Sequence, residues 1–142
     1  MVQAISINAM DLYIDFNSNE AIYMQIINQI ILGIATERIR QGDSLPSVRQ
    51  MADEIGINMH TVNKAYSILK QEGFLKLDRR RGAVVWVDVD KLRVLNNIKR
   101  EMAVTIARGI CNGVNRQEAH TIVDELYDEL KRDNIRRDNN AV

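Results

Sequence analysis

The sequence predicts a mainly α chain with a small β-hairpin: a winged helix-turn-helix domain followed by a C-terminal helical hairpin. Three stretches carry that prediction. Leu45 to Gly73 holds two short amphipathic segments on either side of a glycine turn, a pattern that by spacing alone suits an ordinary helical hairpin as well as a helix-turn-helix. Phe74–Leu77 and Ala83–Val87 are β-rich runs that flank Asp78-Arg79-Arg80-Arg81-Gly82. After Asp90, two long apolar stripes recur at helical spacing, separated by Asn112-Gly113.

Composition agrees. A chain of 142 residues suits one domain, or one domain with an appendage. It is 46% hydrophobic but only 5% aromatic, with one proline and seven glycines, which favours helix. Net charge is zero, so no global field draws it to nucleic acid. The imbalance is local: residues 16–87 carry nine Lys/Arg against seven Asp/Glu, concentrated at Arg79-Arg80-Arg81. Cys111 is the only cysteine, which excludes an intrachain disulfide and a cysteine-based metal site and fits a reducing cytoplasmic setting. No apolar run approaches the roughly 18 residues of a membrane span. Met1–Met10 lacks the basic start and apolar stretch of a secretion signal. The expected location is cytoplasmic.

Taken in order, Met1–Met10 shows no clear period and is expected to be extended or disordered. Leu12–Phe16 alternates and predicts a short strand. Asn17-Ser18-Asn19 is a turn cluster. A long helix follows over about Glu20–Gln41, with Ile22, Ile26, Ile27, Ile30, Ile34 and Ile39 as its apolar stripe and Gly42 as its stop. Ser47 caps the next helix, Gln50 can cap back, and Val48, Met51, Ala52 and Ile55 form its buried face. Gly56 ends it, Ile57 plugs the turn and Asn58 caps a further helix with Val62, Ala65, Tyr66 and Leu69 inward. The basic hairpin then reads as a wing, and Trp86 as a core or interface residue rather than a base-stacking one. A helix over about Asp90–Asn112 and another over about Arg116–Arg136 follow, the second opened by a capping box of Asn115 and Glu118. Asp138–Val142 reads as a frayed polar end. The implied organisation is an N-terminal extended segment over 1–15, the winged domain over 16–87 and a two-helix dimerisation region over 88–142.

Several of these residues form a family pattern. Leu45, Pro46, Ser47 and Arg49, then Ile55, Gly56 and Ile57, Thr61 and Val62, and Ala65, Tyr66, Leu69 and Gly73 resemble the DNA-binding domain of the GntR family of bacterial transcription regulators. Ala21-Ile22-Tyr23-Met24-Gln25-Ile26 is similar to the family's Pro-Ile-Tyr-x-Gln-Ile opening, with Ala21 in place of proline. The resemblance covers Glu20–Val87. Only 55 residues follow Val87, too few for the large effector or aminotransferase-like domains of most branches, and the short two-helix tail resembles the YtrA-like branch. That branch implies a dimer formed through the tail and repression of operons that often encode ABC-type transporters.

The expected DNA-binding residues are Ser47, Arg49, Asn58, Met59, His60, Thr61, Asn63 and Lys64 on the helix pair, with Arg79, Arg80, Arg81 and Gly82 on the wing. In a helix-turn-helix the second helix presents its first turns to base edges. The resemblance gives Met59–Thr61 and Asn63 the base and phosphate contacts. Asn63 can pair with adenine, and Thr61 can bind phosphate or touch a thymine methyl. Family members often carry arginine where Met59 and Asn63 stand, so guanine is not the expected base there. For Arg49 a structural salt bridge is the alternative to a DNA contact. The expected dimerisation residues are Leu92, Leu95, Ile98, Met102, Ile106 and Ile110, with Ile122, Val123, Leu126, Tyr127 and Leu130. A two-helix hairpin has too little core to hide both stripes, and a second copy is the simplest cover.

No Ser/His/Asp set, phosphate-cradling glycine loop or spaced acidic pair points to an enzyme. His60 and His120 lack nearby companions for a metal. The expectation is therefore double-stranded DNA and a second copy as partners, no cofactor, no metal, no membrane, and no effector that the sequence names. The runner-up is a winged-helix protein-interaction module without a specific DNA target.

Overall fold

The computed structural model describes the backbone of residues 2–7 and 10–140; of these, the side chains of residues 3, 10 and 132–140 fall outside the description. The chain divides into two compact units, Met1–Asp88 and Val89–Val142.

The first unit contains β1 (Val2–Ile7), β2 (Met10–Asp15), α1 (Ile22–Ala35), α2 (Val48–Ile55), α3 (Met59–Gln71), β3 (Leu75–Asp78) and β4 (Gly82–Val85). Strands β3 and β4 pair antiparallel as the sequence predicts, with Leu75 opposite Val85 and Asp78 opposite Gly82. A second antiparallel pair, β1 with β2, is the larger surprise. Residues 2–7 take the extended alternative and form a strand, and the strand expected at Leu12–Phe16 is its partner β2. Ile5, Ile7, Leu12 and Ile14 point inward and join the core formed by Ile26, Ile30, Met51, Ile55, Val62 and Leu69. Ala4, Ser6, Asp11 and Tyr13 stay exposed, so the period is two. The signal is weak in sequence because the outward side chains of β1 are small rather than charged.

Helix α1 fastens this hairpin. The Tyr13 N–H donates to Gln29 Oε1 at 2.7 Å, and Gln29 Nε2 donates to the Tyr13 carbonyl. The Asp15 N–H donates to Gln25 Oε1 at 2.9 Å, and Gln25 Nε2 donates to the carbonyls of Asp15 and Glu20, both at 2.9 Å. Two amides one helical turn apart thus act as a surrogate strand along the free edge of β2. Gln25 is buried, and its amide is satisfied throughout.

Helix α1 ends at Ala35, not near Gln41. Thr36 Oγ1 donates back to the Leu32 carbonyl at 2.7 Å, and Glu37 adopts φ 57°. The N–H groups of Arg38 and Ile39 then return to the Gly33 carbonyl. Ile39 is buried after the reversal, so it continues the apolar pattern without continuing the helix.

The second unit contains α4 (Lys91–Cys111) and α5 (Arg116–Asn140). Asp90 caps α4 by accepting the Arg93 N–H at 3.1 Å. The expected capping box forms completely: Asn115 Oδ1 accepts the Glu118 N–H at 2.9 Å, and Glu118 Oε2 accepts the Asn115 N–H at 2.8 Å. The helix extends past Arg136 into the stretch read as frayed; residues 141–142 lie outside the described residues. No residue of α4 is buried.

Candidate nucleic-acid interface

The helix pair is set by local hydrogen bonds. Ser47 Oγ accepts the Gln50 N–H at 3.0 Å and caps α2. Among the described residues the Gln50 side chain makes no return bond, so the box is half of what the sequence predicts. Gly56 closes α2 in the left-handed region at φ 80°, with its N–H on the Ala52 carbonyl. A side chain there would meet open space, so the backbone angle alone calls for glycine. Asn58 Oδ1 accepts the His60 N–H at 2.8 Å and caps α3.

That cap fixes which face of α3 is free. Val62, Ala65, Tyr66 and Leu69 are buried, while Met59, His60, Asn63 and Lys64 are exposed and Thr61 is partly covered. Met59 is 43% exposed at the first turn of the helix. Tyr66 holds α3 against the chain entering α2: its Oη donates to the Pro46 carbonyl at 2.7 Å. Burial pushes the Tyr66 phenol well above its ordinary range. Lys64 is not a free solvated group, because its Nζ lies 3.9 Å from the centroid of the Tyr23 ring on α1. Neither Tyr66 as an anchor nor Tyr23 as a partner for Lys64 emerges from periodicity.

Arg49 is exposed on α2. Among the described residues no ion pair or hydrogen bond engages its guanidinium.

The wing is tied to the same helix pair. The Leu45 N–H donates to the Ala83 carbonyl, the Val85 N–H to the Asp43 carbonyl and the Gly42 N–H to the Val85 carbonyl, each at 2.8 Å. The segment leading into α2 therefore lies beside β4, joined to it by an isolated antiparallel bridge with Ser44 opposite Val84. At the tip, Asp78 Oδ1 accepts the N–H groups of Arg80 at 2.8 Å and Arg81 at 3.0 Å. Those two bonds, with smaller help from the charges of Arg81 and Lys76, hold the Asp78 carboxyl below the usual carboxylate range. Gly82 turns the chain at φ 74°. Arg79 and Arg80 are exposed, and Arg81 Nη2 donates to the Gly42 carbonyl. Trp86 is not in the core. It is half exposed, with Lys76 Nζ 3.6 Å from its ring centroid.

In the second unit, Leu92, Leu95, Ile98, Met102, Ile106, Ile110, Ile122, Val123, Leu126 and Tyr127 are all exposed in the single chain, and Leu130 is partly covered. Leu92, Ile110 and Tyr127 each expose about two thirds of their surface or more, at 71%, 68% and 67%. So many large apolar side chains in water on one unit mark a surface made to be covered. Among the described residues, no group of three His, Cys, Asp or Glu is placed to hold a metal, and no helix is long and apolar enough to cross a membrane.

Residues 20–85 match the family described as "Bacterial regulatory proteins, gntR family". The chain is similar to the HTH-type transcriptional repressor YtrA of Bacillus subtilis, 32% identical over 121 residues that span 83% of this chain and 93% of that one. Among solved structures it is similar to a transcriptional antiterminator from Listeria monocytogenes EGD-e, with a TM-score of 0.75 and 29% identity over 87% of this chain and 93% of that one. It is also similar to YtrA from Sulfolobus acidocaldarius, described as a GntR-family transcription factor. That match has a TM-score of 0.54 and 42% identity over 65% of this chain and 97% of that one.

Proposed function

Because the chain belongs to the gntR family of bacterial regulatory proteins, as a YtrA-like member, we propose that it acts as a homodimeric repressor at a pseudo-palindromic operator. It is a DNA-binding transcription regulator and not an enzyme. The observation that carries the finer reading is the capped start of α3. Met59, His60, Asn63 and Lys64 stand exposed there while the opposite face is buried, and the same unit carries a wing with Arg79 and Arg80 exposed. In this reading α3 enters a major groove and supplies direct contacts to base edges. The wing arginines reach phosphate or a narrow minor groove.

The two-fold symmetry of the proposed dimer comes from the exposed apolar faces of α4 and α5, covered by those of a second copy. Half-sites would then lie about one helical turn apart, roughly 10 bp, or a multiple of that. Bound there, the dimer obstructs polymerase in the cytoplasm. Its proposed target is a transporter-type (ABC) operon, following the branch it resembles.

The test is an anisotropy titration of the DNA upstream of its own coding region at two salt concentrations, with wild type and Arg49→Ala. The expected result is saturable binding that survives nonspecific competitor and weakens with salt. Arg49→Ala is expected to lose about 1–3 kcal/mol of binding while the oligomeric state stays unchanged. Equal binding by both proteins would remove Arg49 from the interface.

A further inference from the structure

The wing tip combines groups that phosphate treats oppositely. Three arginines attract it, and Asp78 repels it. The Asp78 carboxylate is engaged in the turn itself, where Oδ1 accepts the N–H groups of both Arg80 and Arg81. Asp78 pairs with Gly82 across the hairpin, so residues 79–81 are the whole loop. The guanidinium of Arg81 turns away from the tip and donates to the Gly42 carbonyl, at the start of the segment that lies along β4 and leads into α2. Both ends of the loop are thus tied down. Arg79, Arg80 and Arg81 are all exposed, but among the described residues only the Arg81 side chain is engaged by a bond.

We propose that Asp78 and Arg81 are positioning residues that preset the wing, and that Arg79 and Arg80 alone carry it onto DNA phosphate. The proposal rests on the DNA-binding reading and divides a basic cluster that sequence treats as one. A loose tip would have to order its backbone at the moment of binding, at an entropic cost. A tip braced in the free protein has already met that cost. Electrostatics sharpen the argument. The negative charge of Asp78 works against DNA affinity, so its benefit lies in its acceptor oxygen and not in its charge. Asparagine can supply such an oxygen, and alanine cannot.

The test uses the full-length protein and the duplex that wild type recovers by selection from a random-sequence pool, with anisotropy titrations across salt. Asp78→Asn is expected to bind at least as tightly as wild type. Asp78→Ala is expected to bind roughly tenfold more weakly, the effect of two lost hydrogen bonds. In an Arg79→Ala/Arg80→Ala background, Asp78→Ala should weaken binding no further, because the arms it positions are gone. The slope of log affinity against log salt should shrink by about 1.8 for Arg79→Ala, about 0.9 for each protomer of the dimer, and again for Arg80→Ala. It should stay unchanged for Arg81→Ala. Circular dichroism and urea midpoints establish that each variant is folded, and Asp78→Asn keeps the comparison meaningful if Asp78→Ala is not. Asp78→Asn binding as weakly as Asp78→Ala, or Asp78→Ala binding as tightly as Asp78→Asn, would overturn the brace. A slope change of about 1.8 in Arg81→Ala, about 0.9 for each protomer, would make Arg81 a phosphate contact instead. If wild type enriches no sequence, the DNA-binding reading fails first and this proposal with it. If wild type binds and the variants depart from the pattern, this proposal alone fails.

Discussion

Tyr66 shows how one residue joins the core to the interface. Its ring packs inside, and its hydroxyl reaches the Pro46 carbonyl, 20 residues back and just ahead of the cap of α2. Tyr66→Phe keeps the ring and leaves that carbonyl without its donor, at a cost of about 0.5–1.5 kcal/mol measured by urea unfolding. The phenol's ionisation is raised by burial in the folded state relative to the unfolded chain. Its contribution is therefore complete below the unfolded value of about 10 and is lost as pH rises beyond it. The stability gap between wild type and Tyr66→Phe should be constant from pH 7 to 9 and shrink above pH 10. A gap that widens there would contradict this account of the hydroxyl. At this scale the sequence is legible where partners are near in the chain. Ser47, Asn58 and the Asn115–Glu118 pair cap as their spacing indicates. It is silent where partners are remote: nothing near Lys64 announces Tyr23, and nothing near Arg81 announces Gly42.

Between elements, the decisive contacts are those that hold β2 on α1. Gln25 sits inside the stretch that resembles the family's opening, yet periodicity gives it no role because a glutamine interrupts an isoleucine stripe. The structure supplies the reason: its buried amide serves the backbone of Asp15 and Glu20. Gln25→Ala is expected to cost about 1–3 kcal/mol, since it strands buried backbone groups. Gln29→Ala, at a more exposed bond, should cost less. Urea unfolding orders the two, and faster exchange of the Asp15 amide in Gln25→Ala locates the loss; equal costs would show that burial of Gln25 is not what matters. The same scale explains two departures from the sequence reading. The first strand of the N-terminal hairpin was hidden by its short, uncharged outward residues, and the end of α1 was hidden by Ile34 and Ile39, two more isoleucines after the stripe, the second buried only because the chain reverses. The wing was legible because its runs, its basic tip and Gly82 fall within 14 residues of one another.

For the whole molecule, the two units divide the work that the proposed function needs. The first buries its own core and exposes a polar helix face and the three wing arginines. Among its described side chains the second buries none. An isolated second unit would leave its apolar stripes in water, so the account requires a second copy, and with it a two-fold axis on the DNA. The tail's helices and their stripes were legible from heptad-like spacing; the base sequence read by Met59, His60 and Asn63 was not, because side-chain identity at the groove sets a preference only once the docking angle is fixed. Footprinting the duplex that wild type selects from a random pool tests the central claim most directly. The account predicts two equal protected half-sites in inverted orientation, their centres about 10 bp or a multiple of it apart. A single asymmetric patch would contradict the dimeric reading, and a protein that selects and protects no sequence would contradict the operator reading altogether.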